Sequence, residues 1–179
     1  MAMAAPIPNR PTLAELESWA AARGLLLRLQ SGRPLGLLYS LRVAVAQRAP
    51  GGSLQLLGEL KGWALPRRDG LRLDTLRIPG RAEGQAERGV GRLIAAAAFA
   101  WALEVTPCRR ARILAIRDGD RQHRRLVRYF RRLGFTPLRE LGAAPMDLPA
   151  RLIWGGAGLL MQADCYVGLV RSVRLLPRP

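Results

Sequence analysis

Glu87-Arg88-Gly89-Val90-Gly91-Arg92-Leu93-Ile94 runs into an alanine-rich apolar segment, and the reading of this stretch decides the fold. Two glycines one residue apart, directly before helix-forming residues, make a loop seated on a helix N-terminus. Such a terminus leaves about four backbone N–H groups without intrahelical partners and carries roughly half a positive charge, so it stabilises an anion such as phosphate. Glycine lets the anion approach the backbone. Before the loop, Leu71-Arg72-Leu73-Asp74-Thr75-Leu76-Arg77-Ile78 alternates and reads as a strand, with Asp74, Leu76 and Ile78 on one face. After it, a helix from Gly91 to about Val105 stops at Thr106-Pro107, and Arg112 to Ile116 is the next strand. Asp118-Gly119-Asp120 then caps a second helix, which carries Leu126, Phe130 and Leu133 on one stripe and ends at Gly134.

Two other phosphate-binding folds use related loops. A dinucleotide-binding domain asks for a third glycine and a carboxylate about 20 residues further on. The third position is Ile94, and Asp118 comes too late and reads better as a helix cap. The Walker loop is excluded because no Gly-Lys-Ser/Thr occurs.

The order strand, glycine loop, helix, strand, helix and Leu133-Gly134-Phe135 resembles the GNAT superfamily of acyl-CoA-dependent N-acetyltransferases, over residues 71 to about 141. Its loop pattern is Gln or Arg, two residues, Gly, one residue, then Gly or Ala. Gly89-Val90-Gly91 fits the second half, with Ala86 at the Gln/Arg position; a second register, Arg81 to Ala86, leaves no room for a helix start at Gly91. The resemblance implies an α/β (α+β) fold, a mixed, splayed, mostly antiparallel sheet flanked by helices. It also implies acetyl-CoA as cosubstrate and N-acetyl transfer to a primary amine. The amides of Arg88, Gly89, Val90, Gly91, Arg92 and Leu93 would hold the pyrophosphate. The backbone of Leu76, Arg77 and Ile78 would hold pantetheine and the thioester, and a splay against Arg112–Ile116 would admit the acyl arm.

The resemblance also implies who moves protons. Asp74 stands where many members carry a carboxylate that binds or deprotonates the amine; an ion pair with Arg72 or Arg77 is the other reading. The tyrosine that serves as proton donor, five residues before the phenylalanine of Leu-Gly-Phe, falls on Phe130, against the cofactor, and its neighbour Tyr129, about 100° around the helix, would supply the catalytic hydroxyl with the helix rotated or the thiolate off-centre. His123 takes the position of a family asparagine. It either bonds CoA and exchanges protons or is a histidine satisfied at a helix start. A degenerate module that binds CoA without catalysis, docking an acidic partner or RNA through its arginines, is the alternative function.

Composition bounds the rest. The 179 residues suit one domain, with a flexible tail over 1–11, a GNAT-like domain over 12–156 and a C-terminal helical appendage over 157–179. Thr12 and Glu15 form a capping box, followed by Leu13, Leu16, Trp19 and Ala20 at helical spacing up to Gly24. Strands are expected over Leu25–Leu29, Leu41–Gln47, Leu54–Ala64, Phe135–Leu141 and Arg151–Trp154, and a helix over Leu159–Leu176. Cys108 and Cys165 have no pairing or metal pattern, and with a single histidine no metal site is expected. The longest apolar run, Leu93 to Leu103, is 11 residues, about half of what a bilayer needs, so the expected setting is cytoplasmic or, by likeness to cyanobacterial and plastid GNAT proteins, stromal.

The net charge is +16, from 29 basic residues of which only Lys61 is lysine, against 13 acidic ones. Such a field attracts polyanions and small anions, CoA included. Arg121, Arg124, Arg128 and Arg131 step by three or four along one exposed helix face. They form either a solvated surface or a grip on phosphates of nucleic acid or an anionic membrane.

Overall fold

The computed structural model describes residues 10–78 and 89–177. Its elements follow as α1 (Leu13–Ala21), β1 (Leu25–Gly32), β2 (Tyr39–Arg48), β3 (Leu54–Ala64), β4 (Leu71–Arg77), α2 (Val90–Val105), β5 (Arg110–Ile116), α3 (Asp120–Arg132), β6 (Thr136–Leu141), α4 (Leu148–Trp154), β7 (Gly158–Asp164) and α5 (Cys165–Arg174). The strands form one sheet in the order β1-β2-β3-β4-β5-β7-β6. Every neighbouring pair is antiparallel except β4 and β5. A parallel pair needs a crossover, and α2 supplies it. The fold is mixed α/β with a mostly antiparallel sheet and a C-terminal helix.

Helices α1, α2, α3 and α5 share one apolar core with the inward residues of the strands. From Leu93 to Leu103 every residue of α2 is buried, and the alanines at 95–98, 100 and 102 let neighbours approach closely. Phe99 and Trp101 are fully enclosed, each contributing about 2–3 kcal/mol of apolar burial. Gly168 of α5 lies directly on Phe99, where a Cβ would come within 2.5 Å of the ring. Thr12 and Glu15 make the expected capping box: the Thr12 hydroxyl accepts from the Glu15 N–H at 3.2 Å and the Thr12 N–H donates to Glu15 Oε2 at 2.7 Å. The opposite sheet face mixes charged residues such as Arg72 and Arg112 with Leu114 and Leu160, and Arg72 meets α4 at Ile153 and Trp154.

Two expected elements are otherwise. Arg151–Trp154 is the last turn of α4 rather than a strand, with Pro149 at a position that suits a helix start and Gly155 ending the helix at φ 77°. Leu159–Leu176 is two elements, not one helix: β7 lies inside the sheet between β5 and β6, and the helix begins at Cys165. Asp164 makes the break, its carboxylate accepting from the N–H groups of Tyr166 at 2.9 Å and Val167 at 3.0 Å. Residues 158–164 are therefore sheet, and only the helical part of the expected appendage stands.

Candidate functional site

The site begins where the parallel pair comes apart. β4 and β5 pair only through Leu71–Leu73 against Ala111–Ile113. Beyond that, β4 continues to Arg77 bonded to β3, and β5 continues to Ile116 bonded to β7. Backbone groups of residues 74–77 on the β5 side therefore lack a strand partner among the described residues. An extended ligand can pair with such an edge.

At the end of this edge stands the start of α2. Gly89 is its N-cap at φ 68°, a left-handed conformation that favours glycine, and its carbonyl accepts from the Leu93 N–H at 2.9 Å. The amides of Val90, Gly91 and Arg92 belong to the first turn and have no intrahelical acceptor. Arg88 lies outside the described residues, as does the alternative register Arg81–Ala86. Gly89, Val90, Gly91 and Leu93 are buried, so the loop is not a free surface loop. A Cβ on Gly89 would sit 2.7 Å from Pro177 Cδ, and one on Gly91 would overlap the Tyr129 hydroxyl and lie 2.9 Å from Ile78 Cδ1. The glycines are thus required by close packing of the chain on itself as well as by backbone conformation. Arg92 is committed too, Nη1 donating to the Leu175 carbonyl at 2.6 Å.

Tyr129, not Phe130, faces this corner. Its hydroxyl is shut away from solvent and has no hydrogen-bond partner among the described residues. Burial pushes its pKa up to about 12, against a smaller opposing pull from the Arg92 charge. A hydroxyl that holds its proton so firmly is a hydrogen-bond donor rather than a proton source. Phe130 belongs to the core, with ring centroids 5.7 Å from Tyr129 and 5.8 Å from Phe135, which in turn stacks 5.8 Å from Phe99. At 4% exposure its ring has no open side for a cofactor.

Asp74 lies elsewhere, about 13 Å up the strand from Ile78 at 3.3 Å per residue. The β3–β4 register passes from Gly62 opposite Leu73 to Lys61 opposite Thr75, so Asp74 is the extra residue of a β-bulge. The bulge breaks the expected alternation: Leu76 pairs with buried Leu60 and packs with Leu73 toward the core, and Asp74 does not share its face. The carboxylate accepts from Arg72 Nε at 2.5 Å. Arg72 also donates to the Ile153 carbonyl and lies 3.9 Å from the Trp154 ring centroid and 5.3 Å from that of Trp63. This cluster ties α4 down beside Asp74. The Asp74 side chain is 33% exposed, so it is reachable from solvent.

His123 is buried in the first turns of α3, with Nδ1 3.3 Å from the Ile116 carbonyl. That contact is the satisfied helix-start arrangement. Six residues separate it from Tyr129, about 9 Å along the helix axis. The structure thus brings Ile78, Gly91 and Tyr129 together and leaves Asp74, His123 and Phe130 in three other environments. The Asp74–Arg72 pair is the other reading of the sequence, whereas Trp63 and Trp154 around it were missed; the tryptophans carry no local motif, and only the β3–β4 register and α4 unite them. Among the described residues no helix is long and apolar enough to cross a membrane, and no cluster of three metal-ligating side chains occurs. No family model, curated protein or solved structure matches the chain.

Proposed function

We propose that the chain is an acyl-CoA-dependent N-acetyltransferase that binds acetyl-CoA along the free edge of β4. The observation that carries this reading is the corner itself: a strand edge released by its parallel neighbour, ending at a glycine-started helix with an unpartnered donor aimed at it. The first-turn amides of α2 and the Tyr129 hydroxyl supply several donors and no acceptor, which suits pyrophosphate oxygens. The pantetheine arm would then run up the edge from Ile78 toward Asp74, pairing with backbone groups whatever the side chains are.

This placement gives Tyr129 a binding role at the phosphate end and leaves Asp74 as the side chain nearest the expected thioester. There its carboxylate would accept a proton from the incoming ammonium. The amine nitrogen bonds to the acetyl carbon, the carbon–sulfur bond breaks, and the proton the nitrogen sheds on becoming an amide passes through solvent to the departing thiolate. Asp74 is reachable from the open sheet face beside α4, so the acceptor would enter there. Calorimetric titration with acetyl-CoA, followed by thiol release across classes of amines, tests the reading. Binding with turnover supports the enzyme; binding without turnover leaves a CoA-holding module; absence of binding removes both.

A further inference from the structure

α3 turns Arg121, Arg124, Arg125, Arg128, Arg131 and Arg132 to solvent, and none of the six has an ion pair or side-chain hydrogen bond among the described residues. Asp118 and Asp120 stand at the N-terminal end of the helix with no ion pair among the described residues, and the paired acids are placed elsewhere. Among the described residues the ion pairs are Arg42–Glu59, Arg67–Asp69, Arg72–Asp74, Arg112–Asp69, Arg117–Glu140 and Arg139–Asp147, all on the sheet and its connections. A preference for arginine across the chain explains many arginines, but not why acids neutralise the sheet and leave α3 bare from 121 to 132.

The geometry of α3 orders these charges. At 100° per residue, Arg124 and Arg131 form one flank, Arg125 and Arg132 the other about 100° away, and Arg121 and Arg128 run between them. This arc lies opposite buried His123 and Phe130, and the row is about 16 Å long. Arg171 of α5 packs its aliphatic chain on Gly134, with Cδ 3.3 Å from where a Cβ would stand, and adds a charge at the end of the row.

We propose that this face docks on duplex DNA, with α3 over the major groove and its two arginine flanks on the phosphates at the groove's edges. A helix with its side chains is about 10–12 Å across and the B-form major groove about 12 Å wide, whereas the A-form major groove is too deep and narrow for it. Charge complementarity selects the class of partner. A protein interface needs an apolar or aromatic anchor at its centre, and the α3 row has none there; exposed Val167 of α5 stands only at its end beside Gly134, and the exposed Met146, Leu152 and Ile153 lie on and beside α4. A membrane helix needs an apolar face to insert, and that of α3 is turned into the core. Single strands need exposed aromatics for stacking, which the row lacks.

Fluorescence anisotropy of the full chain on a mixed-sequence DNA duplex, from about 50 to 200 mM salt, reads this directly. The four flank contacts predict a log–log slope of about −3.6, and R124Q/R128Q/R131Q, which removes two of them, should flatten it by about 1.8. The Lys counterparts R124K/R128K/R131K should keep the slope, which separates charge from misfolding. R28Q/R48Q/R110Q removes the same charge from exposed strand positions and should leave the slope unchanged. Equal loss in this control would show that net charge, not α3, does the binding and would overturn the proposal. So would tighter binding of duplex RNA, anionic vesicles or polyglutamate than of DNA at equal salt, or no salt-dependent binding at all.

Discussion

Replacing Tyr129 with phenylalanine should stabilise the protein and weaken its hold on acetyl-CoA in the same step. The hydroxyl is enclosed and unpartnered, and an unsatisfied buried polar group costs about 1–3 kcal/mol. Tyr129→Phe removes that cost while keeping the ring against Phe130 at 5.7 Å. With about 1–2 kcal/mol recovered, Tm should rise by roughly 2–8 °C for a chain of this size. In the proposed complex the same hydroxyl donates to a phosphate oxygen, and a hydrogen bond to a charged group contributes about 1.5–3 kcal/mol, so affinity should fall about 10- to 100-fold. The pH dependence carries a matching sign. Tyrosine ionises near pH 10 in the unfolded chain and at about 12 here because burial penalises the phenolate, so the stability that goes with a neutral phenol, separate from the cost of its unmet hydrogen bond, is fully present below pH 10. It is lost as pH rises toward 12, by about 1.4 kcal/mol per pH unit and about 2–3 kcal/mol in all. Tyr129→Phe should lose less stability over that range. Scanning calorimetry at several pH values and titration with acetyl-CoA measure both halves. A variant that is destabilised by more than about 1 kcal/mol, or binds acetyl-CoA as the parent does, would refute the assignment.

Three further outcomes follow from the same geometry. Gly91→Ala should cost about 1–3 kcal/mol in the parent and less in the Tyr129→Phe background, where the hydroxyl it meets is gone and only Ile78 Cδ1 must give way; a coupling below about 0.5 kcal/mol in chemical denaturation would show that the two do not touch. Asp74→Asn should lower stability by less than about 1 kcal/mol, because its ion pair is a third exposed, while cutting turnover and sparing acetyl-CoA affinity; a parental rate and pH profile would leave Asp74 only its bond to Arg72. Arg72→Ala removes the guanidinium from Trp154 and Ile153, so amide exchange should accelerate across α4 but not across α2; unchanged protection in α4 would show that Arg72 does not hold it.

Sequence alone made the centre of the fold legible where local signals agreed. The Thr12–Glu15 box, the apolar run of α2 and the stripe of α3 ending at Gly134 each specify a helix through its own residues. β7 was hidden because Leu159-Leu160-Met161 shows no alternation, its strand being interior to the sheet, and the segment merges without a Gly or Pro break into the periodic residues of α5. Asp164 held the boundary in plain sight as a helix cap within an otherwise continuous segment. At the site, the glycines were readable but their packing partners, Tyr129 and Pro177, come from more than 35 residues away in the chain. The Asp74 bulge was equally invisible, since it is a property of two strands in register and not of β4 alone.

The central claim is that the free edge of β4 and the start of α2 form an acyl-CoA site, and calorimetric titration of the full chain with acetyl-CoA in moderate salt tests it most directly. ATP serves as the control, because a chain of charge +16 attracts any phosphate. The account predicts saturable one-to-one binding of acetyl-CoA that excess ATP does not displace and that Tyr129→Phe weakens. Heats that do not saturate, or equal affinity for ATP and acetyl-CoA, would contradict it.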